Sequence, residues 1–241
     1  MNQPFSYCYN IRAYERGADG GVPLYQIGNY LQDIAGRHAA GLGWSIDALQ
    51  QDGRSWILSR LKLEIDTPVT GNDKQLTIRT WPCGADRIYA YRAFDLQNEM
   101  GTLIGKALSY WILLDIESKR PVPMPGEIAE LANHYPEPPL KPSRPRLQKP
   151  ESTAHQVNFQ VLPSDLDLNG HVNNSVYIRW LEDVLRKNTR STDHVRNLDI
   201  LYKTEVVEND QITVVSDHFE SEPVRMAVLR EGEEACIAEL Q

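Results

Sequence analysis

Leu61 to Asp73 reads LKLEIDTPVTGND, and Leu198 to Asp210 reads LDILYKTEVVEND. Set side by side without gaps, the two share Leu61/Leu198, Thr67/Thr204, Val69/Val206, Asn72/Asn209 and Asp73/Asp210. Five matches in thirteen positions stand against roughly one expected by chance from average composition. Upstream, YNIRAYERGADG from Tyr9 stands where VNFQVLPSDLDL from Val157 stands. With one gap, NYLQDIAG from Asn29 stands where VYIRWLED from Val176 stands. Three matching pairs in the same order point to a duplicated unit.

Between the copies, Tyr135 to Pro150 reads YPEPPLKPSRPRLQKP and holds six of the fifteen prolines. Proline removes backbone donors and forbids helix, so an extended linker is expected over 135–150, joining repeats over 1–134 and 151–241. Each half has one apolar stripe at helical spacing. It is Leu24, Ile27, Leu31, Ile34 and His38 in the first, and Tyr177, Trp180/Leu181 and Val184/Leu185 in the second. Strand-like segments follow at about Trp56–Asp66, Lys74–Trp81, Ile88–Leu96 and Thr102–Asp115. In the second half they lie at about Val195–Val207, Gln211–Asp217, Val224–Leu229 and Ala235–Leu240. One long helix followed by an antiparallel meander, twice, is an α+β layout.

Composition excludes several classes. In 241 residues, 25 Lys+Arg stand against 33 Asp+Glu, a net charge of −8, which argues against a general nucleic-acid binder. Three scattered cysteines (Cys8, Cys83, Cys236) form neither a disulfide framework nor a zinc pattern, and ligand spacing suggests no metal and no cofactor. The N-terminal stretch lacks the basic and apolar regions of a secretory signal, and no apolar run approaches the length of a membrane helix. A cytoplasmic protein without membrane insertion is expected.

Ser164 to Asn174 reads SDLDLNGHVNN. If the stretch is extended, period two sets Asp165, Asp167, Asn169 and His171 on one face. A helix follows at about Asn174, whose first N–H groups are available to developing negative charge. Asp, Asn and Gly also form turns and caps, so the stretch alone leaves a structural role equally open. The asymmetry between copies favours chemistry: GADGGVPLY in the first half puts Gly20 or Gly21 at the place of Asn169 and Pro23 at that of His171. Glu205 likewise stands against Pro68.

SDLDLNGHVNNSVYIRWLED resembles the signature of the acyl-acyl carrier protein thioesterases, and IRAYERGADG, NYLQDIAGRHA and KALSYWILLD resemble their counterparts in that family. The resemblance implies a double hotdog fold, two helix-plus-sheet repeats joined through one sheet. It implies hydrolysis of fatty acyl-acyl carrier protein to free fatty acid, with catalytic Asp167, Asn169, His171 and Glu205 and no cofactor. Glu205 and His171 would activate water, Asn169 would position water or carbonyl, and Asp167 would hold Asn169 and His171. Many plant members carry a cysteine after the glutamate; here the residue is Val206. The implied partner is an acidic carrier protein, for which Arg179, Arg186, Lys187 and Arg190 of the second helix and Lys141, Arg144, Arg146 and Lys149 of the linker are docking candidates. Leu24, Ile27, Leu31, Trp56, Tyr89, Tyr91 and Trp111 are candidates for the acyl tunnel. A hotdog acyl-CoA thioesterase and a non-catalytic acyl-binding module stand as alternatives. Oligomeric state stays open, a homodimer included.

Overall fold

The computed structural model describes residues 2–151, 155–188, 195–219 and 222–241. Its first half contains β1 (Phe5–Asn10), α1 (Leu24–Gly41), α2 (Ile46–Gln51), β2 (Arg54–Ile65), β3 (Gln75–Ala85), β4 (Tyr89–Gln97), β5 (Leu103–Asp115) and α3 (Gly126–Ala132). The second contains β6 (His155–Gln160), α4 (Asn174–Asn188), β7 (Asn197–Tyr202), β8 (Gln211–Ser216), β9 (Val224–Arg230) and β10 (Glu233–Leu240). All ten strands form one antiparallel sheet in the order β1-β3-β4-β5-β2-β7-β10-β9-β8-β6. Read from the centre outward the two halves have the same order, so this is the double hotdog.

The junction carries the symmetry. Where β2 meets β7, Leu61 opposes Ile200, Lys62 opposes Asp199 and Leu63 opposes Leu198. Lys62 and Asp199 are also equivalent positions of the repeat, so a pseudo-two-fold axis passes between them. The leucine and isoleucine members face the helices and are almost completely buried. On the other face Asp199 receives a two-pronged contact from Arg60, Nε to Oδ1 at 2.6 Å and Nη2 to Oδ2 at 2.7 Å. Its charge is thereby compensated, with Lys62 Nζ also 3.5 Å away.

Both helices lie against the same side of the sheet and against each other. Ile27, Leu31 and Ile34 of α1 are buried there, each contributing about 1.5–3 kcal/mol. Gly28 permits the close crossing, since a Cβ there would lie 3.2 Å from Ile178 Cδ1 of α4.

Several expectations change. Each helix is preceded by a short edge strand, β1 or β6, absent from the expected elements; β1 has irregular burial, whereas β6 alternates half-buried and exposed residues over its six positions. These strands fix the repeat offset upstream at 150 residues, because β1 and β6, the following 3-10 turns and the helix starts all correspond at that spacing. The sequence comparison was displaced by two to three positions there. The strand expected over Val195–Val207 ends at Tyr202. Beyond it the backbone turns to other partners: Lys203 and Thr204 N–H both reach the Ala235 carbonyl, and Val172 N–H donates to the Val206 carbonyl. The proline-rich segment is strapped across the sheet. Arg60 donates to the Pro145 carbonyl, Tyr110 Oη to the Ser143 carbonyl, and Leu147 is buried against Val215, Ala227 and Ile237. Among the described residues no helix is long and apolar enough to cross a membrane.

Candidate active site

The stretch from Ser164 to Asn173 is a looped turn, not an extended segment. Asp165 ends a 3-10 turn and is buried, accepting from Leu162 N–H at 3.0 Å and pairing with Arg179 at 2.6 Å. Its counterpart Glu15 accepts from Arg12 N–H in the same way. Asp165 therefore shapes the loop and lies apart from the other three polar residues. Next, Asp167 N–H donates to the His171 carbonyl at 2.7 Å and Gly170 N–H to the Asp167 carbonyl at 3.1 Å. This closure needs φ +76° at Gly170, a conformation glycine adopts without strain.

Within the loop, Asp167 Oδ1 accepts from Asn169 N–H at 2.8 Å and His171 N–H at 3.3 Å, and Oδ2 from the Asn169 side-chain amide at 3.4 Å. Asp167 thus orients the Asn169 amide but holds His171 through its backbone, not its ring. His171 Nε2 lies 3.1 Å from Glu205 Oε2, and both side chains retain solvent access. Two tyrosines fix that meeting. Tyr202 Oη donates to the Asn174 carbonyl at 3.0 Å, and Tyr177 Oη to the Thr204 carbonyl at 3.3 Å. Burial pushes both phenols up, so they remain protonated donors.

The start of α4 is less open than expected. Asn173 Oδ1 accepts from Ser175 N–H and Oγ, each at 2.9 Å, and Val176 N–H donates to the Asn173 carbonyl. Two of the N–H groups assigned to an oxyanion are therefore engaged, and of the first helical residues Asn174 borders the cavity. Cys236 is fully buried, and burial pushes its thiol up to about 12. It is no nucleophile at neutral pH.

Asp167, Asn169, His171 and Glu205 line one end of a cavity of about 600 Å³ that continues into the first half past Ala35, Ala39, Trp56 and Trp111. Of the tunnel candidates, Trp56, Tyr91 and Trp111 border it; Leu24 and Ile27 belong to the core. Tyr89 borders a separate groove of about 410 Å³ beneath the proline-rich strap. Ser59 and Lys203 border both spaces, where β2 runs on beyond the end of β7. The sequence reading missed Gln32, Trp44, Arg92, Ile128 and Leu131, all in the cavity wall. Arg92 was findable, since alternation in AYRAFDL sets it on the face of Ala90 and Phe94.

The first copy builds the same loop without the same groups. Gly17 N–H donates to the Gly21 carbonyl at 2.8 Å, Gly20 has φ +81°, and Val22 N–H donates to the Val69 carbonyl at 3.0 Å. Gly17, Asp19 and Gly21 therefore stand where Asp167, Asn169 and His171 stand, and Pro23 where Asn173 stands; the sequence comparison had set Gly20 or Gly21 and Pro23 at the places of Asn169 and His171. The helix ends are capped across the pseudo-dyad. Glu182 of α4 accepts from Leu24 and Tyr25 N–H, each at 3.0 Å, while its counterpart Gln32 of α1 donates to Asn173 Oδ1 at 3.2 Å.

Comparison with known proteins is consistent across both halves. Residues 2–132 match the model of the acyl-ACP thioesterase N-terminal domain and residues 148–240 that of the C-terminal domain. Oleoyl-acyl carrier protein thioesterase 2, chloroplastic, of Arabidopsis thaliana is 27% identical over 229 residues, covering 87% of this chain and 62% of that protein. Palmitoyl-acyl carrier protein thioesterase, chloroplastic, of Gossypium hirsutum is 28% identical over 229 residues, covering 88% and 55%. The chain thus spans about three-fifths of the length of these curated relatives. The crystal structure of an acyl-ACP thioesterase from Bacteroides thetaiotaomicron superposes with a TM-score of 0.83 at 26% identity, covering 98% of this chain and 96% of that one. The 12:0-ACP thioesterase from Umbellularia californica shares the fold, with a TM-score of 0.85 at 17% identity over 98% and 96% of the two chains. With both domain models matched in order along almost its whole length, the chain belongs to the acyl-ACP thioesterase family.

Proposed function

We propose that this chain hydrolyses the thioester of a fatty acyl group on acyl carrier protein, releasing the free acid and the carrier thiol. The observation that carries the reading is the His171–Glu205 contact of 3.1 Å at the end of a cavity with a largely apolar far wall. A carboxylate beside an imidazole is a general base within reach of a water. Glu205, assisted by His171, takes the proton as water oxygen bonds to the thioester carbon. The Asn169 amide, held by Asp167, orients the water or the carbonyl, and Asn174 N–H faces the oxyanion. Collapse breaks the carbon–sulfur bond, and the departing thiolate recovers the proton. Two repeats over 1–134 and 151–241 with a strap over 135–150 form one working unit, the second carrying the reactive groups. The three free cysteines fit a reducing, cytoplasmic setting.

For docking of an acidic carrier, we favour the strap over the second helix. Arg179 is paired with Asp165, Arg186 lies by Asp19 and Glu182, and Arg190 lies outside the described residues. In the strap, Arg144 and Lys149 contact Asp86 and Glu234, whereas Lys141 and Arg146 are exposed, Arg146 beside the groove that shares Ser59 and Lys203 with the cavity.

Release of free fatty acid from the same acyl group on carrier protein and on coenzyme A tests the reading. Carrier-protein substrate is expected to be turned over faster, and Glu205→Ala and His171→Ala to lose roughly 100- to 10,000-fold each. Near-normal hydrolysis by both variants refutes the assignment; binding of acyl carrier protein with no acid released identifies an acyl-binding module instead.

A further inference from the structure

Arg92 is a charged group in the first-half wall of the cavity, which Asp47 of α2 also borders without pairing with it. It lies on β4 between Ala90 and Phe94, on the face turned to α1, and lines the cavity together with Pro82, Ile128 and Leu131. Its Nη1 donates to His38 Nδ1 at 3.0 Å and to Thr80 Oγ1 at 3.4 Å. Because arginine is always a donor, His38 Nδ1 accepts, and its Nε2 carries the proton toward Tyr135 Oη, 3.3 Å away. Burial, then the guanidinium itself, pushes His38 down to about 4, so the ring is neutral and leaves the arginine charge unbalanced. Burial also pushes Arg92 down, to about 10, which still leaves it cationic at neutral pH.

No carboxylate partner balances Arg92 among the described residues; the ionisable groups that act on it are Cys83 and Tyr135. Arg60 and Arg79, also on this sheet, are treated differently. Arg60 uses its Nε and Nη2 edge as a fork on Asp199, and Arg79 uses the same edge on Asp95. The corresponding edge of Arg92 has no hydrogen-bond partner among the described residues, and the side chain lies in the cavity wall. A planar pair of donors with an unpaired charge matches a carboxylate.

Position decides which part of a substrate would meet it. Gln32 of α1 contacts Asn173 beside the candidate loop, and His38 of the same helix contacts Arg92. Six helical residues separate these points, about 9 Å along the axis. Ser59 and Lys203 border both the cavity and the strap groove on the Glu205 side, so in the proposed reading the carrier's arm comes from that side and the acyl chain extends toward Arg92.

We propose that Arg92 is a specificity determinant for acyl chains of medium length that bear a carboxylate, or another oxygen acceptor, at the end remote from the thioester. The inference rests on the thioesterase reading and names its substrate class. A chain ending in a methyl group leaves the fork edge unpaired, whereas a terminal carboxylate completes it.

The test uses the full chain and pairs of carrier-protein thioesters of equal carbon number, one ending in methyl and one in carboxylate. The ratio of kcat/KM, carboxylate over methyl, is measured for wild type, Arg92→Met and Arg92→Lys. The ratio is expected to fall roughly 10- to 100-fold in Arg92→Met, the range for a hydrogen bond to a charged group. Arg92→Lys, which restores charge without the fork, is expected to recover part of it. The same ratio in wild type and Arg92→Met overturns the inference and leaves the thioesterase reading standing; no wild-type turnover of either thioester removes both. A second measurement needs no variant: a dicarboxylic acid is expected to inhibit the wild type at least tenfold more tightly than the monocarboxylic acid of equal length, and equal inhibition overturns the inference.

Discussion

Replacing Glu182 by alanine tests how the two repeats are joined. The carboxylate sits on α4, is buried, and holds the first two N–H groups of α1 at 3.0 Å each. The α1 N-cap is Pro23, with no side chain able to accept those hydrogens. Alanine leaves the Leu24 N–H enclosed and unpaired, at about 1–3 kcal/mol, while the Tyr25 N–H, only half-buried, can be rehydrated at lower cost. Against this, alanine relieves the desolvation of a buried carboxylate. Burial is the largest influence on Glu182, outweighs its two N–H contacts and Arg186, and raises its pKa. We take the net loss as about 2 kcal/mol, which for a chain of this size lowers Tm by about 4–8 °C. The pH dependence has a definite sign. A folded carboxyl that holds its proton more tightly than the unfolded one contributes most below the usual carboxyl range and less as pH rises through its folded value. The wild-type lead over Glu182→Ala should therefore shrink from pH 4 toward neutrality, read by thermal melts followed by circular dichroism. An unchanged Tm at both ends of that range, or a lead that grows with pH, would refute the assignment of Glu182 as the cap of α1.

Cys236→Ala should retain hydrolysis within a few-fold, because a fully buried thiol held near 12 supplies no thiolate; loss of turnover without loss of Tm would restore a cysteine mechanism. His38 is held neutral at about 4, against 6.5 ordinarily, so its contribution is present above 6.5 and is lost as pH falls toward 4. His38→Gln should flatten the decline of Tm across that window, and parallel curves for the two proteins would contradict it. Reversing the exposed strap cations, Lys141→Glu with Arg146→Glu, should raise KM for carrier-protein substrates far more than for a small soluble thioester, and increasingly so at low salt. Equal effects on the two substrates would remove the strap as a docking surface.

How much of this was legible in sequence depended on how local the signal is. Of the five identities in the blocks from Leu61 and Leu198, only Leu61/Leu198 lies in the central strands; the other four lie in the segment that follows, which makes the same contact in both copies, Val69 and Val206 carbonyls accepting from Val22 and Val172 N–H. Lys62 and Asp199 could be matched by sequence, but only the sheet register shows them facing each other. The edge strand β1 has no regular burial period, and β6, though it alternates, is only six residues long, and the offset upstream slipped with them. Asp165 looked like one of four equivalent polar groups because its partner Arg179, though 14 positions on in the same signature, is brought to it only when the loop turns back on α4. Pairings across the dyad, such as Glu182 with Leu24, join residues 158 positions apart and carry no sequence signature.

The dyad also bears on why the proposed reactive groups fall in one repeat and not the other. Both copies build the same glycine-closed loop ahead of a helix, so both start with a helix N-terminus facing a neighbouring helix. In the first copy that terminus is plugged by the Glu182 carboxylate, and the loop is tied down by Arg16 on the Gly20 and Thr70 carbonyls and by Arg186 on Asp19. In the second, the neighbouring helix offers only the Gln32 amide, and it meets the Asn173 side chain, leaving Asn174 and His171 at the cavity. A carboxylate at the position of Gln32 would place negative charge beside Glu205 and against the oxyanion that hydrolysis must stabilise. In a dimer of identical repeats, a residue that caps one site must also appear in the other. Covalent duplication removes that constraint, so that Glu182 can brace one helix while Gln32 keeps its counterpart free for chemistry.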